Sequence, residues 1–262
     1  MMMSLSTIEN WTAKGHDLSV AWYERLAEFG PWCLAAAGLL VLLGCALRRN
    51  RYRAIAVLSE ADREAVHAAL RAAEEHTVGE IVPVVLERSD DHPAADWLAG
   101  LAFLLVGTGV LAPHLPWTQP ALLLACQMAL LAVGVVSARC LPAFKRLFIS
   151  GSRATEVAGE QAFQEFYGND LHKTEAATGV LLFVSLLEHR VIVLRDHGIA
   201  AVVPDDAWQE TDAAILEGIR SGSLRDGLIR GIERAGKVLA EHFPYEDGDR
   251  NELPDRLIVR QR

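Results

Sequence analysis

Six polar residues stand at the ends of three short apolar runs: Glu80 opens EIVPVVL, His172, Glu175 and Thr178 precede GVLLFVS, and Asp196 and His197 follow RVIVLR. Glu80, Glu175 and Asp196 offer carboxylate oxygens and Thr178 a hydroxyl. These are hard ligands of the kind calcium and magnesium take. The imidazole of His197 suits a transition metal, and that of His172 suits general acid or base work. Gathered around one divalent cation, such a set would support metal-assisted hydrolysis. The plainer alternative is local. Asp196, His197 and Gly198 then form a turn after a strand, with Asp196 bonding nearby backbone and Gly198 at positive φ. Glu80 and Glu175 are surface charges in that reading, Glu80 beside Lys173, and the histidines are solvated. No G-x-S-x-G, P-loop, H-E-x-x-H or dinucleotide fingerprint is present. The sequence demands no cofactor, and calcium or magnesium is the one its polar residues suit.

The elements that must position these residues alternate. SEAD at Ser59 is a capping-box pattern, and Val66, Leu70 and Ala73 recur at helical spacing up to His76. The run from Gly79 reads as a strand, with Pro83 favouring an edge position or a bulge. Ala158, Ala162 and Phe166 mark a helix ending near Gly168 and Asn169. TGVLLFVSL and RVIVLRD form a hairpin about the turn Leu187–Arg190. Two further helices start at Pro204–Asp205 and at Ser223. A crossover joins the first two strands, so they run parallel, and the third is antiparallel to the second. Thr77, Gly79, Glu80, His172, Thr174, Glu175, Thr178, Asp196, His197 and Gly198 then share one edge of the sheet. Glu87, Asp90, Asp91, His92, Glu188, His189 and Arg190 share the other.

Between the first strand and the second helix the chain turns apolar. From Trp97 to Ala138 it carries no Asp, Glu, Lys or Arg, and PHLPWTQP divides the run. Backbone in lipid must satisfy its hydrogen bonds within helices, so a transmembrane hairpin over 97–138 is expected. An earlier uncharged stretch, Phe29–Leu47, is long enough to cross a bilayer and is followed by Arg48, Arg49, Arg51 and Arg53. The expected organisation is an N-terminal segment over 1–30, an interfacial helix or an ordinary amphipathic connector, and a first span over 31–47. The two parts of one soluble domain follow at 48–96 and 139–243, the hairpin lies between them, and 244–262 is a charged flexible tail. Arg139, Lys145, Arg146 and Arg153 follow the hairpin whereas its loop is uncharged, which places the domain in the cytoplasm and the N-terminus outside.

The 262 residues are 51% hydrophobic with a formal net charge of −9. That balance excludes a phosphate-backbone binder, so no nucleic-acid partner is expected. Cys33, Cys45, Cys126 and Cys140 all lie in or beside apolar segments, which excludes a zinc or disulfide frame. With no ionisable residue within the spans, an ion pathway has no support.

LSEADREAVHAALRAAEEHTVGEIVPVV, TGVLLFVSLLEHRVIVLRDHGI and the closing helix pair together resemble the TPM-domain family of the thylakoid lumen and photosystem II repair type. The chain is similar to the bacterial membrane proteins of that family in which a transmembrane hairpin interrupts the domain. The resemblance implies a small mixed sheet sandwiched by helices, preceded here by one transmembrane helix, in the bacterial inner membrane. It also implies that some members bind calcium and that some act as phosphatases. Where metal-binding members carry DNG before the second strand, this sequence has Ala177, Thr178 and Gly179. Two functions are therefore expected: a non-enzymatic assembly module with the bilayer and another protein or itself as partners, or a divalent-metal phosphatase.

Overall fold

The computed structural model describes residues 58–245, 252–254 and 256–260. Helix α1 (Glu60–Glu74) begins as the sequence indicates, since the Ser59 side chain accepts from the Asp62 amide while the Asp62 carboxylate accepts from the Ser59 amide. The chain continues through β1 (Glu80–Leu86), α2 (Pro93–Val110), α3 (Pro120–Cys140), the single turn α4 (Pro142–Lys145), α5 (Gly151–Gly168), β2 (Gly179–Ser185) and β3 (Arg190–Arg195). It ends with α6 (His197–Val202), α7 (Gln209–Ser221), α8 (Leu224–His242) and β4 (Ile258–Arg260).

The residues divide into two compact units, and the division does not follow chain order. One holds 93–148; the other joins the described residues up to and including His92 to those from Ile149 onward. In the second unit the strand order is β3-β2-β1-β4. β1 runs parallel to β2 with Glu80 opposite Gly179 and Leu86 opposite Ser185, and β3 is antiparallel to β2. Both faces are covered. Ile81, Val85, Val180, Leu182 and Val184 pack with Val66, Leu70, Ile215, Leu228 and Ile232 of α1, α7 and α8. Val82, Val84, Leu86, Leu181 and Phe183 pack with Ala158, Ala162 and Phe166 of α5. A sheet buried on both sides needs near-continuous apolar strands, which is why GVLLFVS and EIVPVVL lack a polar alternation.

Three expectations need correction here. The tail is not wholly a flexible charged segment: Ile258–Arg260 pairs in parallel with Val84–Leu86, and Leu257 is buried. β1 is consequently flanked on both sides. Pro83 is tolerated because backbone groups alternate direction along a strand. The Glu80 amide points to β2, donating to Thr178 O, whereas the Ile81 amide points the other way, to Glu74 Oε1 at 3.0 Å. Pro83 shares the direction of Ile81, where β4 has not yet begun, so its missing N–H breaks no ladder bond. Gly198 is not at positive φ; it lies in α6, where a Cβ would stand 2.6 Å from Ala176 O and 2.7 Å from Ala177 O. The left-handed conformation falls on Ala177 instead, at φ 53°.

The first unit is a helical hairpin. α2 and α3 measure about 27 and 31 Å at the usual helical rise, and both are long and apolar enough to cross a membrane. The earlier predicted span, 31–47, lies outside the described residues, among which there are two such helices. Small residues let the pair approach closely: a Cβ on Gly134 would lie 2.6 Å from Ala99 O, and one on Gly100 would lie 2.7 Å from Val135 Cγ2. At the end of the uncharged run Asp96, only 6% exposed, receives Lys145 Nζ at 3.0 Å and Arg139 Nε at 3.2 Å.

Alanine in the left-handed region costs about 1 kcal/mol relative to glycine. Ala177→Gly should therefore raise the unfolding midpoint by a few degrees. Gly179→Ala should lower it, since its Cβ would stand 2.5 Å from Leu171 O. Thermal melts followed by circular dichroism check both signs.

Candidate functional site

The sheet brings the sequence-predicted residues to one edge, as the parallel and antiparallel registers require. Glu80 and Thr178 lie at the start of β1 and the approach to β2, and the Asp196 amide donates to Gly179 O at 2.9 Å. Their side chains, however, are committed to the chain itself. Glu80 Oε1 accepts the Glu252 amide at 2.8 Å. The Glu252 carboxylate in turn accepts the Glu175 amide, at 2.9 Å to Oε2. Two residues considered as metal ligands thus seat the C-terminal segment, one through its carboxylate and one through its backbone. Thr178 Oγ1 donates to Val78 O at 3.2 Å.

Asp196 caps α6: its Oδ1 accepts the His197 amide at 2.6 Å and stands 2.9 Å from His197 Nδ1. The His197 ring is otherwise open to solvent. His172 lies on the surface against the Tyr167 ring, centroids 4.9 Å apart. Among the described residues no group of three or more His, Cys, Asp or Glu is arranged to hold a metal ion. The side chains as placed do not form a ligand sphere for calcium or magnesium. One oxygen of the set does remain over, since Asp196 Oδ2 is buried without a hydrogen-bond partner.

The opposite edge is more tightly organised than a solvated turn. Glu188, 2% exposed, accepts the Ser89 amide at 3.1 Å and bonds His92 Nε2 at 2.7 Å through Oε1, and it accepts Ser185 Oγ through Oε2. Ser89 Oγ donates to Ser185 Oγ at 2.9 Å. In this chain the carboxylate sits between hydroxyl and imidazole, whereas a nucleophilic triad needs the imidazole between the other two. The cluster fixes the 87–92 loop to the β2–β3 turn. His92 and His189 adopt left-handed φ of 46° and 50° within it. The sequence names Glu188 and His92 but gives no sign of their burial; the apolar LL before Glu188 is the one local hint.

A third cluster went unread in the sequence. Arg195 Nη2 meets Asp205 Oδ1 at 2.8 Å, and its guanidinium carbon stands 5.8 Å from the Trp208 ring centroid. Burial pushes the nearby Asp212 carboxyl up to about 6, against the opposing pull of Arg195. Trp208, Thr211 and Ile215 are all buried there.

With fold and geometry in place, comparison with known proteins becomes informative. Residues 148–238 match the family model described as the TPM domain, so the chain carries a TPM domain. Its matched span holds α5, β2, β3, α6, α7 and most of α8; β1, paired along the whole of β2, belongs to the same unit. No curated protein matches the chain. A solved structure similar to it is the NMR structure of BA42 from the psychrophilic bacterium Bizionia argentinensis. The identity is 22%, the TM-score 0.49, and the match covers 77% of this chain and 94% of that one.

An acid whose pKa is raised in the folded state contributes stability below its unfolded value near 3.8 that is lost as pH rises through the folded value. Asp212 should therefore weaken the fold increasingly between about pH 4 and pH 7. Asp212→Asn should raise the unfolding midpoint at pH 7.5 and change it little at pH 4, a difference readable in melts across that pH series. An equal shift at both ends would show that the carboxyl is not charged against its burial.

Proposed function

We propose that this chain is a membrane-tethered interaction module, in which the α2–α3 hairpin crosses the bilayer and holds the TPM domain at its cytoplasmic surface. The observation that carries this reading is the outward face of the hairpin. Only 22% of each apolar stretch is buried, and Leu105, Val106, Val110 and Leu124 are 59–72% exposed. A core helix of a water-soluble protein would bury that surface, whereas lipid accepts it. Exposed Trp97 and Trp117 near the two ends of the hairpin suit the two interfacial belts. Asp96, Arg139 and Lys145 close one end with charge. The basic residues that follow α3, against an uncharged 113–120 loop, support a cytoplasmic domain. The use of the Glu80 carboxylate to seat the tail supports a binding role over a catalytic one.

The lipid attachment has a direct check. Vesicles carrying the protein, washed in alkaline carbonate and floated on a density gradient, should keep it with the lipid. Recovery in the soluble fraction would contradict a spanning hairpin.

A second reading, a divalent-metal-dependent phosphatase, is favoured by one observation, the unpartnered Asp196 Oδ2. It requires the Glu80 carboxylate to leave the Glu252 amide and His172 to turn from Tyr167. A cation bound to the folded state must raise its unfolding midpoint. This reading predicts such a rise with calcium or magnesium, lost in Asp196→Asn. The interaction reading predicts no metal-specific shift.

A further inference from the structure

The C-terminal segment covers an edge that it does not fill. β4 pairs only with Val84–Leu86, and beyond it Glu87 N donates to Arg260 O at 3.3 Å. Its side chains alternate across the sheet: Leu257 and Val259 pack toward the α1 and α8 face, and Ile258 toward the α5 face. Arg260 lies 3.4 Å from Glu165 Oε2, a carboxylate whose side chain is only 6% exposed. Between this segment and the body of the domain lies a cavity of about 510 Å³. Val82, Asn169 and Lys173 line one side, and Leu253, Pro254 and Ile258 line the other. Walls separated by such a gap forfeit the dispersion contacts that close packing supplies. The segment is thus held by a short ladder, a few charge-assisted bonds and three apolar side chains, while the surface beneath it remains partly unfilled.

We propose that the β1 edge is an acceptor for an extended strand from a partner protein, and that Arg256–Arg260 is a strap that occupies it until the partner arrives. The chemistry of the partner follows from the resident. Its strand runs parallel to β1, and its carbonyls meet the edge-facing amides of β1. Apolar side chains alternate between the two faces, a basic residue meets Glu165, and a bulkier apolar group upstream fills the cavity. Main-chain bonds supply affinity in this mode, and pockets for alternate side chains supply selectivity. Pro83 and the Glu74 carboxylate on Ile81 N mark where pairing must stop, so the acceptor is limited to the second half of β1. This inference rests on the interaction reading and is tested without reference to the membrane, so failure of either can be told from failure of the other.

The probe is a fluorescent peptide of this chain's own terminus, ELPDRLIVRQR, added to the full-length protein in detergent. Two variants loosen the strap: Leu257→Asp charges a buried side chain, and Arg260→Glu sets like charge against Glu165 without touching the core. Each should bind the peptide about tenfold or more tightly than the wild type, whose tethered tail competes at high effective concentration. A peptide N-methylated at the positions of Ile258 and Arg260 should not bind, because its side chains are unchanged and its ladder amides are gone. Equal binding by wild type and Arg260→Glu, or undiminished binding of the N-methylated peptide, would overturn the proposal. A wild-type protein that light scattering shows to be a tail-exchanged dimer would overturn the choice of a different partner.

Discussion

Parallel pairing of β1 with β2 is the constraint on which the remainder of the soluble unit depends. Parallel strands cannot be joined by a tight turn, so the chain that leaves at Leu86 must cross back to the opposite edge of the sheet to re-enter at Gly179. That obligatory crossover is where the apolar helical hairpin is inserted. α5, which completes the crossover, lies over the sheet face formed by Val82, Val84, Leu86, Leu181 and Phe183. Because β1 and β2 pair along seven positions, the residues on either side of a long apolar insertion fold as one unit. The network of Glu188, Ser185, Ser89 and His92 secures the exit. It anchors the 87–92 loop to the β2–β3 turn with buried hydrogen bonds.

Charge in this molecule is used mainly to close backbone. Glu74, Glu80, Glu188, Glu252 and Asp196 each accept from a main-chain amide. Carboxylates so engaged are strong structural groups, because bonds to an ionised acceptor are about twice as strong as neutral ones. They are correspondingly less available to a cation or a substrate. In the hairpin unit Asp96 meets both Lys145 and Arg139 where the apolar run ends, so the charges gather at the limit of the uncharged stretch.

Much of this was readable beforehand because periodicity and capping are local. The Ser59 box, the three strands, the helix faces of α5, α7 and α8, and the gathering of Glu80, Thr178 and Asp196 at one edge all follow from spacing and crossover direction. What escaped depended on contacts remote in sequence. LIVR after Pro254 is too short to read as a strand, and becomes one only because the β1 edge is open opposite it. The same remoteness misled the reading of Glu80, whose partner is 172 residues away. Gly198 was assigned to a turn because glycine after a strand is ordinarily there for its φ; here its lack of a Cβ makes room for the Ala176 and Ala177 carbonyls. The uncharged loop and the flanking arginines, by contrast, bear on topology directly from composition.

The central claim is that the hairpin spans the bilayer and displays the TPM domain on the side opposite the hairpin loop. Its most direct test is the accessibility of single cysteines to an impermeant maleimide on intact cells. Thr118→Cys in the loop and Glu241→Cys on α8 would be compared in a background in which the four native cysteines are replaced. The account predicts labelling of position 118 from outside and of position 241 only after the membrane is opened. Labelling of both from outside, or of position 241 alone, would contradict it.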